Sequence, residues 1–223
     1  MTQTDMTRQL GIEFERRVQT MIPETEFALK LDTDTIYSFL NQYQDKFVHE
    51  VYRNLDNIQS GSNLSARIEA ILQKLLTKET KVPVNDVITL SNLGLYVRST
   101  SNVTSTYRYK KSNYNISPAK AIPNTLVSQV ELDKYIETPT NDQRILKSPI
   151  IAIDYGQNKL RLVHDMYTNI SSVDVLYYRM PRHMALEDDK ACELPEDVFE
   201  DLVSGAVDLY VQYVAGAEAR RKQ

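Results

Sequence analysis

Cysteine is almost missing from this chain of 223 residues: Cys192 stands alone, so no intramolecular disulfide can form. A lone thiol fits a reducing compartment. Glycine is scarce, at 6 residues, and tight phosphate-cradling loops need it. Accordingly the chain has no Walker loop, no G-x-G-x-x-G turn and no G-x-S-x-G elbow. No HExxH, His-x-His or paired-cysteine spacing is present to suggest a metal centre. Basic residues are not in excess: 26 Lys and Arg face 30 Asp and Glu, for a net charge of −4. Nucleic-acid-binding domains are usually strongly basic, so the chain as a whole lacks that signature. No apolar run approaches the ~18 residues of a membrane span. Met1-Thr2-Gln3-Thr4-Asp5 lacks the basic and apolar regions of a secretory signal, so none is expected. Tryptophan is absent while tyrosine is abundant, at 14. Tyrosine offers a large contact area with a polar tip, which suits half-buried packing positions and protein–protein surfaces.

What is present is periodicity, without internal repeats or low-complexity tracts. Leu10, Phe14 and Val18 recur at fourfold spacing and predict a helix from Thr7 to Met21, ended by Pro23. Glu24 to Lys30 reads as a linker. A second helix, capped by Thr33 or Asp34, is predicted from Ile36, Phe39, Leu40, Tyr43, Phe47, Val51, Leu55 and Ile58. Gly61-Ser62 breaks it. A third, starting near Ser62 or Asn63, carries Leu64, Ile68, Ile71, Leu72, Leu75 and Leu76. The short connection predicts that the second and third helices form an antiparallel hairpin.

The middle of the chain is β-prone. Val82-Pro83-Val84, Val87 to Leu90 and Leu93 to Arg98 are strand candidates. Residues 99–122 are polar and weakly periodic and read as a long loop or a protruding hairpin. Leu126, Val130 and Tyr135 suggest a short helix over Thr125 to Glu137. Ile150 to Asp154 and Lys159 to Val163 flank Tyr155-Gly156-Gln157-Asn158, which predicts a β-hairpin. A further strand follows, with Val173, Val175 and Tyr177 on one face. Pro181 stops it, and the acidic stretch Glu187-Asp188-Asp189-Lys190 leads to a closing helix opened by Cys192 to Val203. Its expected stripe is Leu194, Val198, Leu202, Ala206, Leu209 and Tyr213. Pro195 fits the first turn, and the acidic start and the basic end Arg220-Arg221-Lys222 both suit the helix dipole.

The expected class is therefore α+β. Helical regions at residues 1–78 and 181–223 form a bundle and pack as one domain. A mainly antiparallel β-rich region at residues 79–180 is inserted between them.

Chemistry has few candidates. A metal-assisted phosphodiesterase or peptidase would use Asp154, His164, Asp165 and His183, since histidines and carboxylates can bind a metal or activate water. Their spacing matches no ligand pattern, and polar residues past a strand are ordinary turn residues. Cys192 has acidic neighbours and reads as a buried structural thiol. Tyr107-Arg108-Tyr109-Lys110-Lys111, with Tyr114 and Lys120, interleaves basic and aromatic residues, a pattern that can contact phosphates and stack on bases. That segment is the candidate contact with DNA or a partner, and it also supports the reading of a monomeric nucleic-acid-binding accessory protein. Gly216-Ala217-Glu218-Ala219-Arg220-Arg221-Lys222-Gln223 is small and basic, with little to bury. It is expected to be an arm that orders on another chain. No catalytic residue, cofactor or metal is expected.

The segment Val173 to Tyr213 has a strand ending in Tyr178-Arg179-Met180-Pro181, an acidic stretch, Glu193-Leu194-Pro195-Glu196, and an apolar helix with Ala206-Val207-Asp208-Leu209. In that order of motifs it resembles the closing segment of tailed-phage head-to-tail adaptor proteins. Asp32 to Tyr52 is similar to ring proteins of crAss-like phages. The resemblance implies a structural protein of the virion neck, made in the bacterial host cytoplasm. Such proteins form a ring, commonly dodecameric, below the portal. The ring extends the channel for genomic double-stranded DNA, which passes without specific binding, and docks the next neck or tail component. By the same resemblance Gly216 to Gln223 would contact the portal or a neighbouring subunit. No membrane partner is implied.

Overall fold

The computed structural model describes residues 3–22, 31–55, 63–109, 112–115, 120–128, 130–132, 150–164, 168–186 and 190–221. It divides into two compact units. One joins both ends of the chain, Met1–Leu75 with Met180–Gln223, and the other is the insert Leu76–Arg179. The α+β class matches the sequence reading. The boundaries move by a few residues, from 78 to Leu75 and from 180 to Arg179.

The helical unit is built from α1 (Gln3–Met21), α2 (Thr33–Arg53), α3 (Asn63–Leu75) and α4 (Phe199–Arg221). In α1 the predicted stripe is the buried one: Leu10, Phe14 and Val18 are all core residues. The cap of α2 is Asp32, one residue before the expected pair. Its side chain accepts from the Thr35 N–H at 2.7 Å, satisfying a donor that the helix leaves open. The buried face of α2 is Ile36, Tyr37, Leu40, Gln44, Val48, Val51 and Tyr52, rotated from the expected stripe. Phe39, Tyr43 and Phe47 are only half-buried. Helix α2 ends at Arg53, and Ile58, like the linker 24–30, lies outside the described residues. Among the described residues α2 packs mainly on α4 and α1, not in the expected hairpin with α3.

Helix α4 follows a 3-10 turn, Glu196–Val198, whose N-cap is Pro195. It buries Leu202, Val203, Ala206, Val207, Tyr210 and Val214. Tyr210 sits between two rings, edge-on to Phe14 at 5.9 Å and to Phe39 at 5.2 Å between centroids. Leu209 is half-buried and Tyr213 is 58% exposed, so the stripe turns away from those two expected positions. The stretch that leads into α4 is pinned by polar contacts. Asn41 donates to the Met184 carbonyl at 3.0 Å and accepts from the Met184 N–H at 2.7 Å. The Thr7 hydroxyl accepts from the Cys192 N–H at 2.9 Å.

The insert contains β1 (Leu76–Lys81), β2 (Val87–Thr89), β3 (Leu93–Tyr109), β4 (Ser112–Asn115), β5 (Lys120–Leu126), β6 (Ile150–Gly156), β7 (Lys159–Val163) and β8 (Thr168–Arg179). The strand order is β1-β8-β3-β5-β6-β7-β2, with β4 added to β3. All pairings are antiparallel except β5 with β6. Strands β1 and β2 lie at opposite ends of this order, yet only residues 82–86 separate them in the chain. A flat sheet of that width would span about 29 Å at ~4.8 Å per strand. Val84 is already bridged to Val87, so the connection covers roughly 15 Å. The sheet must therefore roll until its ends approach each other. Tyr177 of β8 bonds to both of its neighbours: its hydroxyl lies 2.9 Å from Glu79 of β1 and 2.9 Å from the Ser91 carbonyl just ahead of β3. One inward core results, with Ile88, Leu90, Val103, Ala152, Leu160, Leu162, Ile170, Val173, Val175 and Tyr177.

The predicted β6–β7 hairpin is present, as is the inward row Val173, Val175 and Tyr177. Its turn places Gly156, Gln157 and Asn158 at φ of 73°, 52° and 61°, the left-handed region. Two sequence readings change in part. Residues 99–122 are not a long loop: β3 runs unbroken to Tyr109, and β4 and the start of β5 lie in the same stretch. The helix expected from Thr125 starts later, since β5 continues to Leu126, while Leu132 is helical and buried. Val130, counted as part of its apolar face, is 84% exposed. Residues 133–137 of that helix lie outside the described residues.

Candidate functional site

Among the catalytic candidates, each histidine has a different carboxylate. His164 Nε2 lies 3.0 Å from Asp86 Oδ1. His183 Nε2 lies 2.9 Å from Asp45 Oδ2. Asp154 closes its own turn by accepting from the Gly156 N–H at 2.9 Å. Asp165 lies outside the described residues. The hydrolase set is thus divided among separate local pairs. Among the described residues, no group of three or more His, Cys, Asp or Glu side chains is placed to hold a metal ion. Cys192 is 4% exposed, and burial pushes its thiol up to about 11. That is the direction for an inert thiol, not a nucleophile.

The basic-aromatic segment falls on a two-stranded extension of the sheet. Strand β3 pairs with β8 only as far as Ser105. Beyond that it pairs with β4, placing Thr106 opposite Asn115, Tyr107 opposite Tyr114, Arg108 opposite Asn113 and Tyr109 opposite Ser112. The protruding-hairpin half of the sequence reading is the half that holds. Lys110 and Lys111 lie outside the described residues, at the connection between these strands, and Lys120 opens β5.

The small, basic C-terminal segment is helical. Gly216, Ala217, Glu218, Ala219, Arg220 and Arg221 are the last turns of α4. This corrects the expectation of an arm without its own order; Lys222 and Gln223 lie outside the described residues. Among the described residues Val214 is the last buried one of the helix. Ala215, Gly216, Ala219 and Arg220 are exposed, and a Cβ built at Gly216 would meet nothing within 4 Å. The helix therefore runs past the core that anchors it.

At its other end α4 forms a charged junction with α1 that the sequence did not announce. The Arg17 guanidinium donates to Glu13 at 2.8 Å, to Ser204 at 2.7 Å and to both oxygens of Glu200 at 2.7–2.8 Å. Hydrogen bonds from Arg16 and Arg17 hold the Glu13 carboxyl at about 2. Arg67 of α3 donates to the Asp197 carbonyl at 2.7 Å and to Asp201 at 2.5 Å. Beside this junction α1 and α4 enclose an open groove of about 320 Å³, with Leu10, Ile12, Phe199 and Val203 among its lining residues. Sequence spacing could mark Leu10 and Val203 as apolar, but not that two distant helices leave a gap between them.

No protein-family model and no curated protein matches the chain. Among the described residues no helix is long and apolar enough to cross a membrane.

Proposed function

We propose that this protein is a structural component of a phage virion neck, a head-to-tail adaptor that assembles as a ring below the portal. The reading rests on the resemblance of Asp32–Tyr52 and Val173–Tyr213 to such proteins, and one structural observation carries it further. Helix α4 is anchored by Leu202, Ala206 and Tyr210 and then continues to Arg221, with Ala215, Gly216, Ala219 and Arg220 exposed. An ordered helix end with such exposed positions is suited to docking on another chain. The portal and neighbouring subunits are its proposed partners. The β3–β4 hairpin is the proposed contact with passing DNA or with the next neck or tail component. The metal-assisted hydrolase reading gains no support from His164 and His183, which are bonded to separate carboxylates.

The test is co-expression with the portal protein of the same phage, followed by electron cryo-microscopy of the complex. A ring on the portal with residues 216–223 at an interface is the expected result. Density for this chain elsewhere in the particle, or no association with the portal, would overturn the reading. As a companion test, purified protein with Mg²⁺ or Mn²⁺ should not cleave DNA. Cleavage abolished by Asp154→Ala or His164→Ala would favour the hydrolase.

A further inference from the structure

The two ends of α4 are chemically complementary and cannot meet within one molecule. At the start, Glu196, Asp197, Glu200 and Asp201 place four carboxylates on the first turns, against the two guanidiniums of Arg17 and Arg67. The Glu200 side chain is 73% exposed, and a carboxylate already bonded to one guanidinium keeps acceptor sites open to a second. Next to these acids lies the α1/α4 groove, where Ile12 is 58% exposed beside half-buried Phe199 and buried Leu10 and Val203. At the far end the helix carries Ala215, Gly216, Ala217 and Ala219, followed by Arg220, Arg221 and Lys222. Small residues let a helix approach an apolar groove closely, and the guanidinium of Arg220 has the charge and geometry for a carboxylate. Positions 200 and 220 of one helix are about 30 Å apart at ~1.5 Å per residue, so the basic end cannot reach its own groove.

We propose that the exposed basic end of α4 from one copy seats in the acidic-rimmed α1/α4 groove of a second copy. The contact is head-to-tail, because different surfaces of the two copies meet, and repeating it gives a closed ring or an open filament. This inference rests on the ring reading and names the surfaces that would build it. Of the two partners proposed for this end of α4, the neighbouring subunit is the one it takes.

A charge-exchange experiment on the full chain tests it. One variant carries Arg220→Glu with Arg221→Glu, and the other carries Glu196→Lys with Glu200→Lys. Association is followed by sedimentation velocity over a range of concentrations, with circular dichroism confirming the fold. The wild-type chain is expected to self-associate, and less so in high salt. Each variant alone should associate more than tenfold more weakly, and the equimolar mixture should regain association. Ile12→Asn, which changes an exposed groove residue without adding charge, should also weaken it more than tenfold. Self-association unaffected by all three variants would overturn this contact and leave the ring reading standing. A wild-type chain that stays monomeric at every concentration would also overturn it. Association restored in the mixture, but only as open chains that never close, would uphold the contact and count against the ring.

Discussion

The ring of Tyr43 on α2 occupies the space where a side chain at Gly205 on α4 would begin. A Cβ built there would overlap three ring carbons, so glycine at this position is a packing requirement, not a helix preference. Gly205→Ala is expected to destabilise the protein by roughly 1–3 kcal/mol, the usual cost of overpacking. This should hold even though alanine is the better helix former by about 1 kcal/mol. Urea denaturation is the measurement. In the Tyr43→Ala background the same substitution should become neutral or stabilising. A Gly205→Ala protein more stable than wild type would show that the two helices separate freely at this point.

Leu40 and Leu202 are both fully buried, on α2 and α4, two helices that pack on each other. Truncating either to alanine should cost about 2–5 kcal/mol, the sum of lost transfer energy and the cavity left behind. A change below ~1 kcal/mol in the denaturation midpoint would mean that the core relaxes around the deletion.

The Cys192 thiol should be silent in the native protein. Burial raises it to about 11, so at pH 8 only about one molecule in a thousand carries the thiolate. Iodoacetamide labelling followed by mass spectrometry should show negligible modification in buffer and complete modification in urea. Rapid labelling of the folded chain would indicate that the stretch held by Thr7 opens readily.

Acid should act through the α1/α4 junction. Glu13 titrates at about 2 in the folded protein, below its ordinary 4.5, because Arg16 and Arg17 bond its ionised form. A depressed folded value means stabilisation that is present above the unfolded value and lost as pH falls through the folded one. The melting-temperature gap between wild type and Glu13→Gln should therefore be largest above pH 5 and close between pH 4.5 and 2. A gap that stays constant across this range would show that the ion pair contributes nothing.

Much of the helical unit was legible because its signal is local. The 3.6-residue period places Leu10, Phe14, Val18, Leu40, Val51, Val198 and Leu202 without knowledge of their partners. The rotation of the buried face of α2 was not legible, because it depends on Asn41 and Gln44 reaching the carbonyls of Met184 and Arg182. In the insert, β3 was hidden by its own polar core. Ser99 and Ser101 point inward and are buried, where a strand pattern calls for apolar residues. Asn124 supplies the reason: it accepts from Ser101 Oγ and donates to Ser99 Oγ, each at 2.8 Å. A satisfied polar cluster inside a sheet core looks like a loop in sequence. The assembly candidates divide in the same way. The composition of Gly216–Gln223 was visible, but the helical state of Gly216 to Arg221 was not. The α1/α4 groove was invisible because it depends on chain segments nearly two hundred residues apart.

Leu76 pairs with Tyr178 where β1 and β8 begin and end the insert, so the chain enters and leaves it at neighbouring positions. Paired antiparallel residues are about 5 Å apart, a gap that a few glycines can span. The insert is therefore a cassette: Leu75 could be joined to Met180 by a short linker, and the helical unit would keep every contact described for it. Replacing that cassette by another would change what the β-insert presents to its surroundings while the bundle, its groove and the end of α4 keep their own contacts.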